Sequence, residues 1–417
     1  VKFFKITHES SMPLIKPFAG LRPAAGQASA VAAPPYDVLS SGEARARAAG
    51  KPWSFLHISK PEIDLPEDTD PYAPAVYAKA VENLQKMLEA GILKRDESDC
   101  YYAYRLKMGE HVQTGLVAAA SVVDYDTNRI RKHEFTRPDK EDDRVRQIDA
   151  LNGQTGPVLL AYPSSATADA LINQASSGAP DADVTADDGI QHTIWVIRDA
   201  ALIEKISATF DAMPALYIAD GHHRSAAASR ISAARGAKGE AAYFLSVIFP
   251  HHQMRIMDYN RVVKDLNGLA DDVLLARIGE KFSVTQEAGQ VRPSCPGEFG
   301  MYLKNRWFRL TIRPELIPVK DPVARLDVSL LSDHLLGPVL GIQDLRRDKR
   351  IDFVGGIRGL DELEKRVNSG EMSVAFALYP TQMTDLMAVA DAGEVMPPKS
   401  TWFEPKLADG LVSHMLG

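Results

Sequence analysis

The sequence predicts an α/β protein with mixed sheets, spread over two or three domains. Three observations point there. Short apolar runs rich in β-branched and aromatic residues, such as residues 243–249, alternate with Ala-rich or amphipathic runs of helical period. At 417 residues the chain exceeds what one hydrophobic core usually organises. Its composition, 45% apolar and 25% charged, is that of an ordinary globular protein.

In chain order, the opening is Pro- and Ala-rich, and Pro34 and Pro35 impose an extended approach to Tyr36 and Asp37. Asp37 reads first as a cap, with a site residue as the alternative. Ser40 and Ser41 followed by Glu43 have the form of a helix start, and residues 72–91 carry helical periodicity that Gly91 stops. From Cys100 strands take over: residues 101–106 and 113–123 read as a hairpin turned at Gly109 and Glu110. Residues 156–162 and 193–197 read as further strands, 164–188 as a peripheral helix and loop, and 200–210 as a helix. The strand 216–219 leads into Asp220, and 243–249 forms a strongly apolar strand. Residues 257–261 read as a polar loop, with a domain boundary near Gly268. Beyond it follow a helix over 271–282, a hairpin of 299–303 with 307–312, an apolar helix over 328–340 and a strand over 374–379.

Charge and cysteine usage narrow the function classes. The net charge of −7, with no basic tail, argues against a protein that binds nucleic acid through phosphate neutralisation. Cys100 and Cys295 stand far apart, so neither a disulfide framework nor a zinc cluster is indicated. The paired His251 and His252 have no partner at zinc-ligand spacing. Residues 1–7 hold too few apolar residues for a signal peptide, and no run reaches the roughly 20 needed to span a bilayer. The expectation is a cytoplasmic protein with no membrane and no nucleic-acid partner; a homo-oligomer is left open.

Two constellations carry chemistry. The first is Ala219-Asp220-Gly221-His222-His223-Arg224-Ser225, between an apolar strand and an Ala-rich helix. Gly221 permits a sharp turn, and the helix start that follows presents unpaired N–H groups and a positive dipole end suited to an anion. Arg224 adds a forked donor, while Asp220 suits a metal ion such as Mg²⁺ or a proton. The plainer reading is an Asp-Gly turn capped by Ser225 with two surface histidines. An arginine, two histidines and a helix start within five residues favour the anion site. The second constellation, residues 131–144, is dense in mixed charge and places His133, Glu134, Arg137 and Lys140 in a connection leading into the sheet. A solvated helix face is its plain alternative. Near the C-terminus, Lys399-Ser400-Thr401 has the ending of a P-loop, but Pro397 and Pro398 stand where glycines are needed, so that motif is rejected; Lys399 and Lys406 remain cleft candidates.

Pro34-Pro35-Tyr36-Asp37-Val38, His133-Glu134 with Thr136 and Lys140, Asp220-Gly221-His222-His223-Arg224, Tyr259-Asn260-Arg261 and the run 396–401 together resemble the domain-of-unknown-function family numbered 1015, over nearly the whole chain. That family is related to the ParB/sulfiredoxin-like superfamily, which includes kinases acting on free L-serine. In those kinases a His-Glu loop precedes a strand and an Asp-Gly-His-x-Arg box. The resemblance implies a ParB/sulfiredoxin-like core over residues 126–265, with flanking α/β regions at 1–125 and 266–417. It implies Glu134 as base, with His133 and Asp220 beside it as catalytic residues. Gly221, His222, His223, Arg224 and Ser225 would form the phosphate box, with Asp37, Arg137, Lys140, Asn260, Arg261 and Lys399 as further cleft residues. ATP or ADP with Mg²⁺ would be the cofactors and a small hydroxylated metabolite the acceptor. The stretch between the two motifs is much longer here than in the kinases. A nucleotide-binding regulator and a phosphohydrolase are the alternatives.

Overall fold

A computed structural model describes residues 12–417; the first residues of the chain, including the stretch read against a signal peptide, lie outside the described residues. The fold is mixed α/β. The described residues divide into two compact units, 12–254 with 405–417, and 255–404.

Unit 1 is built on a nine-stranded sheet. Its strands are β1 (Ile15–Lys16), β2 (Tyr101–Met108), β3 (His111–Ser121), β4 (Ile130–Arg131), β5 (Val158–Tyr162), β6 (Ala182–Thr185), β7 (Gln191–Ile197), β8 (Leu216–Asp220) and β9 (Tyr243–Pro250). Their order is β4-β8-β5-β9-β3-β2-β7-β6, with β1 pairing β3. β5 and β9 are buried along their whole length, as continuous apolar runs in a covered sheet must be. β2 and β3 form the expected hairpin, with Tyr102 opposite Val117. The sequence boundary drawn after residue 125 therefore differs from the structure: β2 and β3, placed in the N-terminal region, share one sheet with β5, β8 and β9. The second boundary falls at 254/255 instead of 265/266, and the chain end returns to unit 1, where Asp409 bridges Ala33 and His414 pairs with Gln154.

Three helices matter for the site: α1 (Pro74–Glu89), α2 (Pro138–Leu151) and α3 (His222–Ala234). Pro138 starts α2, where a missing N–H costs nothing, and Asn152 ends it in the left-handed region at φ 47°. α2 packs on α3 through Ile148, Ala227 and Ile231, joined by Leu416. The helix Ser41–Ala48 begins with the expected capping box, Ser40 with Glu43. Gly91, at φ 67°, follows α1 as the expected stop.

Unit 2 carries an antiparallel six-stranded sheet in the order Phe282–Glu287, Arg306–Ile312, Glu298–Leu303, Val374–Leu378, Tyr259–Val263, Ile351–Gly355. Three local expectations are corrected. Residues 257–261, read as a polar loop, lie mostly in strands, because Asn260 and Arg261 are buried polar residues that hide the apolar pattern. The apolar run 328–340 is a helix only over Asp327–Leu331 and continues as a π-type turn, Ser332–Leu336, before Gly337. The loop expected up to residue 188 contains β6, a short edge strand in which Val184 alone is buried. Among the described residues, no helix is long and apolar enough to cross a membrane.

Candidate functional site

The two charged constellations meet because of one pairing. β4 and β8 run parallel, with Leu216 opposite Ile130. Their C-terminal ends therefore leave the sheet on the same edge, although 87 residues separate His133 from Asp220. The register of β8 against β5 shifts between Ile218 and Asp220. A shift of this kind bends the strand and re-aims the side chain after it.

Gly221 then turns the chain at φ 98°, ψ 27° and caps α3. A Cβ at this position would lie 3.1 Å from Cζ and Nε of Arg224, so the guanidinium folds back beneath the turn into space only glycine leaves. The N–H groups of Arg224 and Ser225 already donate to the Gly221 carbonyl at 2.9 and 3.0 Å. Those of His222 and His223 precede them at the open end of the helix, where an anion is favoured.

Arg224 is the charge at the centre. Its Nη1 donates to the Pro157 carbonyl. Its Nη2 lies 3.7 Å from Asp37 and 3.8 Å from Asp220. Burial works to raise the Asp220 pKa, but Lys406 at 3.6 Å, then Arg224, His222 and the Gly221 N–H, outweigh it and hold the carboxyl down at about 2. Two cations already answer this carboxylate, so its surroundings do not fit a Mg²⁺ ion, which takes several oxygen ligands.

The histidines take different places. The His133 N–H donates to His222 Nε2 at 3.4 Å, and the two rings stand edge to face with centroids 4.5 Å apart. With Nε2 accepting, the neutral His222 ring carries its proton on Nδ1, which lies 3.8 Å from Oε2 of Glu134. Glu134 is 56% exposed, whereas His222 is buried. Burial pushes the His133 pKa down to about 4, against a hydrogen bond to the Ile218 backbone. Burial, then the neighbouring His133, push His222 well below its usual value. His223 faces the other way: its Nε2 accepts the Arg137 N–H at 3.0 Å, fixing the entry into α2.

Other expected residues are engaged with partners of their own. Ser225 is fully buried and its hydroxyl donates to the His222 carbonyl at 3.0 Å, so its side chain serves the helix. Arg137 is exposed and paired with Asp139 at 2.8 Å; Lys140 donates to the Tyr72 hydroxyl at 2.6 Å. Asn260, Arg261 and Lys399 belong to unit 2. Asn260 and Arg261 are wholly buried there: Asn260 accepts the Leu378 N–H at 3.0 Å, and Arg261 Nη2 donates to the Lys399 carbonyl at 2.9 Å.

Sequence reasoning missed Asp409 and the role of Arg144. Both line a cavity of about 30 Å³ with Tyr36, Gly156 and Arg224, room for one or two water molecules. Burial pushes the Asp409 pKa up to about 7 despite the pull of Arg224. The Arg144 guanidinium stacks 3.9 Å over the Tyr36 ring. Asp409 carried no signal, since Asp409-Gly410 reads as an ordinary turn; Arg144 was hidden in a run of mixed charge.

Comparison with known proteins adds the following. A family model described as a protein of unknown function (DUF1015) matches residues 15–329. No curated protein matches the sequence. Among solved structures, a free serine kinase in complex with AMP is similar at 16% identity and a TM-score of 0.35, over 69% of this chain and 86% of that one. A mutant of free serine kinase in complex with ADP is similar at 15% identity and a TM-score of 0.33, over 70% and 88%. A conserved hypothetical protein from Pyrococcus furiosus is similar at 16% identity and a TM-score of 0.33, over 71% and 93%.

Proposed function

The chain belongs to the DUF1015 family, and from that premise we propose that it transfers a phosphoryl group from a nucleotide to the hydroxyl of a small metabolite. The observation that carries this reading is the position of Glu134, whose Oε2 lies 3.8 Å from Nδ1 of the first residue of α3. An exposed carboxylate thus stands at the open helix end that suits a phosphate. Phosphoryl transfer asks chiefly for positioning and charge stabilisation, plus one group to take the hydroxyl proton.

The geometry supports the following division of labour. The N–H groups of His222 and His223 receive phosphate oxygens, while Arg224 and Lys406 supply positive charge beneath the turn. Glu134 takes the proton of the acceptor hydroxyl as its oxygen attacks phosphorus and the leaving phosphate departs with the nucleotide. His222 faces Glu134 at 3.8 Å, and His133, neutral and buried, donates its N–H to His222. Free L-serine is the acceptor to test first, on the motif order His133-Glu134 before Asp220-Gly221-His222-His223-Arg224.

The test is transfer from ATP and, separately, ADP, with Mg²⁺ and a panel of hydroxylated metabolites including L-serine, in wild type and Glu134→Gln. A phosphorylated acceptor in wild type, lost by at least roughly a hundredfold in the variant with nucleotide binding retained, is the expected outcome. Nucleotide binding without transfer to any acceptor would leave a regulator, release of phosphate without an acceptor would leave a phosphohydrolase, and full activity in Glu134→Gln would remove Glu134 from the mechanism.

A further inference from the structure

His133 and Glu134, in the connection before α2, form a second arrangement with His222 at the start of α3, and we propose that the three hold a divalent transition-metal ion. Each offers a ligand atom, and the three atoms lie within 4.8 Å of one another; coordination through His222 Nδ1 would move that ring's proton to Nε2, in exchange for the long 3.4 Å hydrogen bond from the His133 N–H. Two imidazoles and one carboxylate are a donor set for zinc, cobalt, nickel or iron, whereas Mg²⁺ selects oxygen. Three protein ligands with a further position open is the pattern of a site that also takes water or substrate.

An independent observation points to a ligand here. The His133 ring is 2% exposed, and among the described residues its Nδ1 has no hydrogen-bond partner. Buried acceptors left unpaired are rare in folded proteins. The same ring is anchored by a hydrogen bond to the Ile218 backbone, the kind of outer contact that orients a metal-binding imidazole. Glu134 is 56% exposed and so gives an ion a way in from solvent, while the two histidines close the inner side. Asp220, the carboxylate first expected to hold a cation, is matched by Lys406 and Arg224 and does not compete for this role.

The inference goes beyond phosphoryl transfer, because binding of such an ion needs no nucleotide and is read without one. The full-length chain, treated with chelator and dialysed, is titrated with Co²⁺ while its visible ligand-field absorption is recorded, and with Zn²⁺ by calorimetry. One equivalent of each ion should bind, with the Co²⁺ spectrum reporting nitrogen ligation. Replacing the buried His133 or His222 risks the fold, so the decisive variant is Glu134→Gln at the exposed ligand, with circular dichroism to show that the fold is intact. Its affinity should fall by roughly tenfold or more. No uptake by wild type, or equal affinity in Glu134→Gln, overturns the proposal. So does loss of uptake in Asp220→Asn with retention in Glu134→Gln, which would put the ion at the phosphate turn.

Discussion

Gly221→Ala tests the turn directly. Gly221 sits at φ 98°, a conformation an L-residue enters at a cost of about 1–2 kcal/mol. The new Cβ would also lie 3.1 Å from the Arg224 guanidinium, which cannot retreat freely because Nη1 is held by the Pro157 carbonyl and Nη2 faces Asp37 and Asp220. Together these effects should lower stability by about 2 kcal/mol, which in a unit of this size moves the melting temperature down by about 4–8 °C. The same movement turns the first N–H groups of α3 away from an anion, so nucleotide affinity should fall about tenfold, or about 1.4 kcal/mol. Gly221→Asn is the control, since asparagine tolerates positive φ but still brings a Cβ. It should recover part of the stability and little of the binding. Thermal melts and calorimetric titration of ADP give both quantities. An alanine variant that melts within about 1 °C of wild type and binds ADP equally would refute this account of the turn.

His192 is buried, its Nδ1 2.7 Å from the Tyr104 hydroxyl, and burial pushes its pKa down to about 4. The unfolded chain takes up this proton near pH 6.5, so stability is complete above that value and is lost as pH falls towards 4; His192→Gln should flatten that loss in denaturation curves taken between pH 7 and 5. Arg261→Met leaves the Tyr259 and Lys399 carbonyls without their donor and should cost roughly 2–4 kcal/mol in chemical denaturation. Asp37 is 41% exposed and competes for Arg224 Nη2 at 3.7 Å, while the Pro157 carbonyl keeps the guanidinium in place. Asp37→Asn should therefore tighten ADP binding about threefold by calorimetry, and a weakening would mean that Asp37 positions Arg224.

Legibility in the sequence followed whether a signal was local. β8, the glycine turn and α3 were readable because an apolar run, a glycine and an Ala-rich run succeed one another within 20 residues. The hairpin of β2 and β3 and the capping box at Ser40 were readable for the same reason. Pairing across the sheet was not: the parallel partnership of β4 with β8, which brings Glu134 near His222, left no local signal, and motif order suggested only that the two stretches serve one site. Burial of polar groups was also hidden. Asn260, Arg261 and Ser225 look like binding residues in the sequence, yet each bonds to main-chain groups inside the protein. Conversely, Asp409 joins Tyr36 and Arg224 from the far end of the chain, a contact no local pattern encodes.

The charges around the turn suit its arginine both to a structural role and to the binding role proposed for it. Arg224 is held by a carbonyl on one nitrogen and by two carboxylates at 3.7 and 3.8 Å on the other, distances too long for direct hydrogen bonds. The guanidinium is thus positioned but not saturated. Arg224 and Lys406 both stand beside Asp220, at 3.8 and 3.6 Å, and Asp220, at a pKa of about 2, stays ionised at neutral pH. An anion bound here would gain two cations and face the two carboxylates of Asp37 and Asp220. On the reading proposed above, that balance favours a phosphate over the helix N–H groups, with Glu134, 3.8 Å from Nδ1 of His222, as the carboxylate that would take the acceptor's proton.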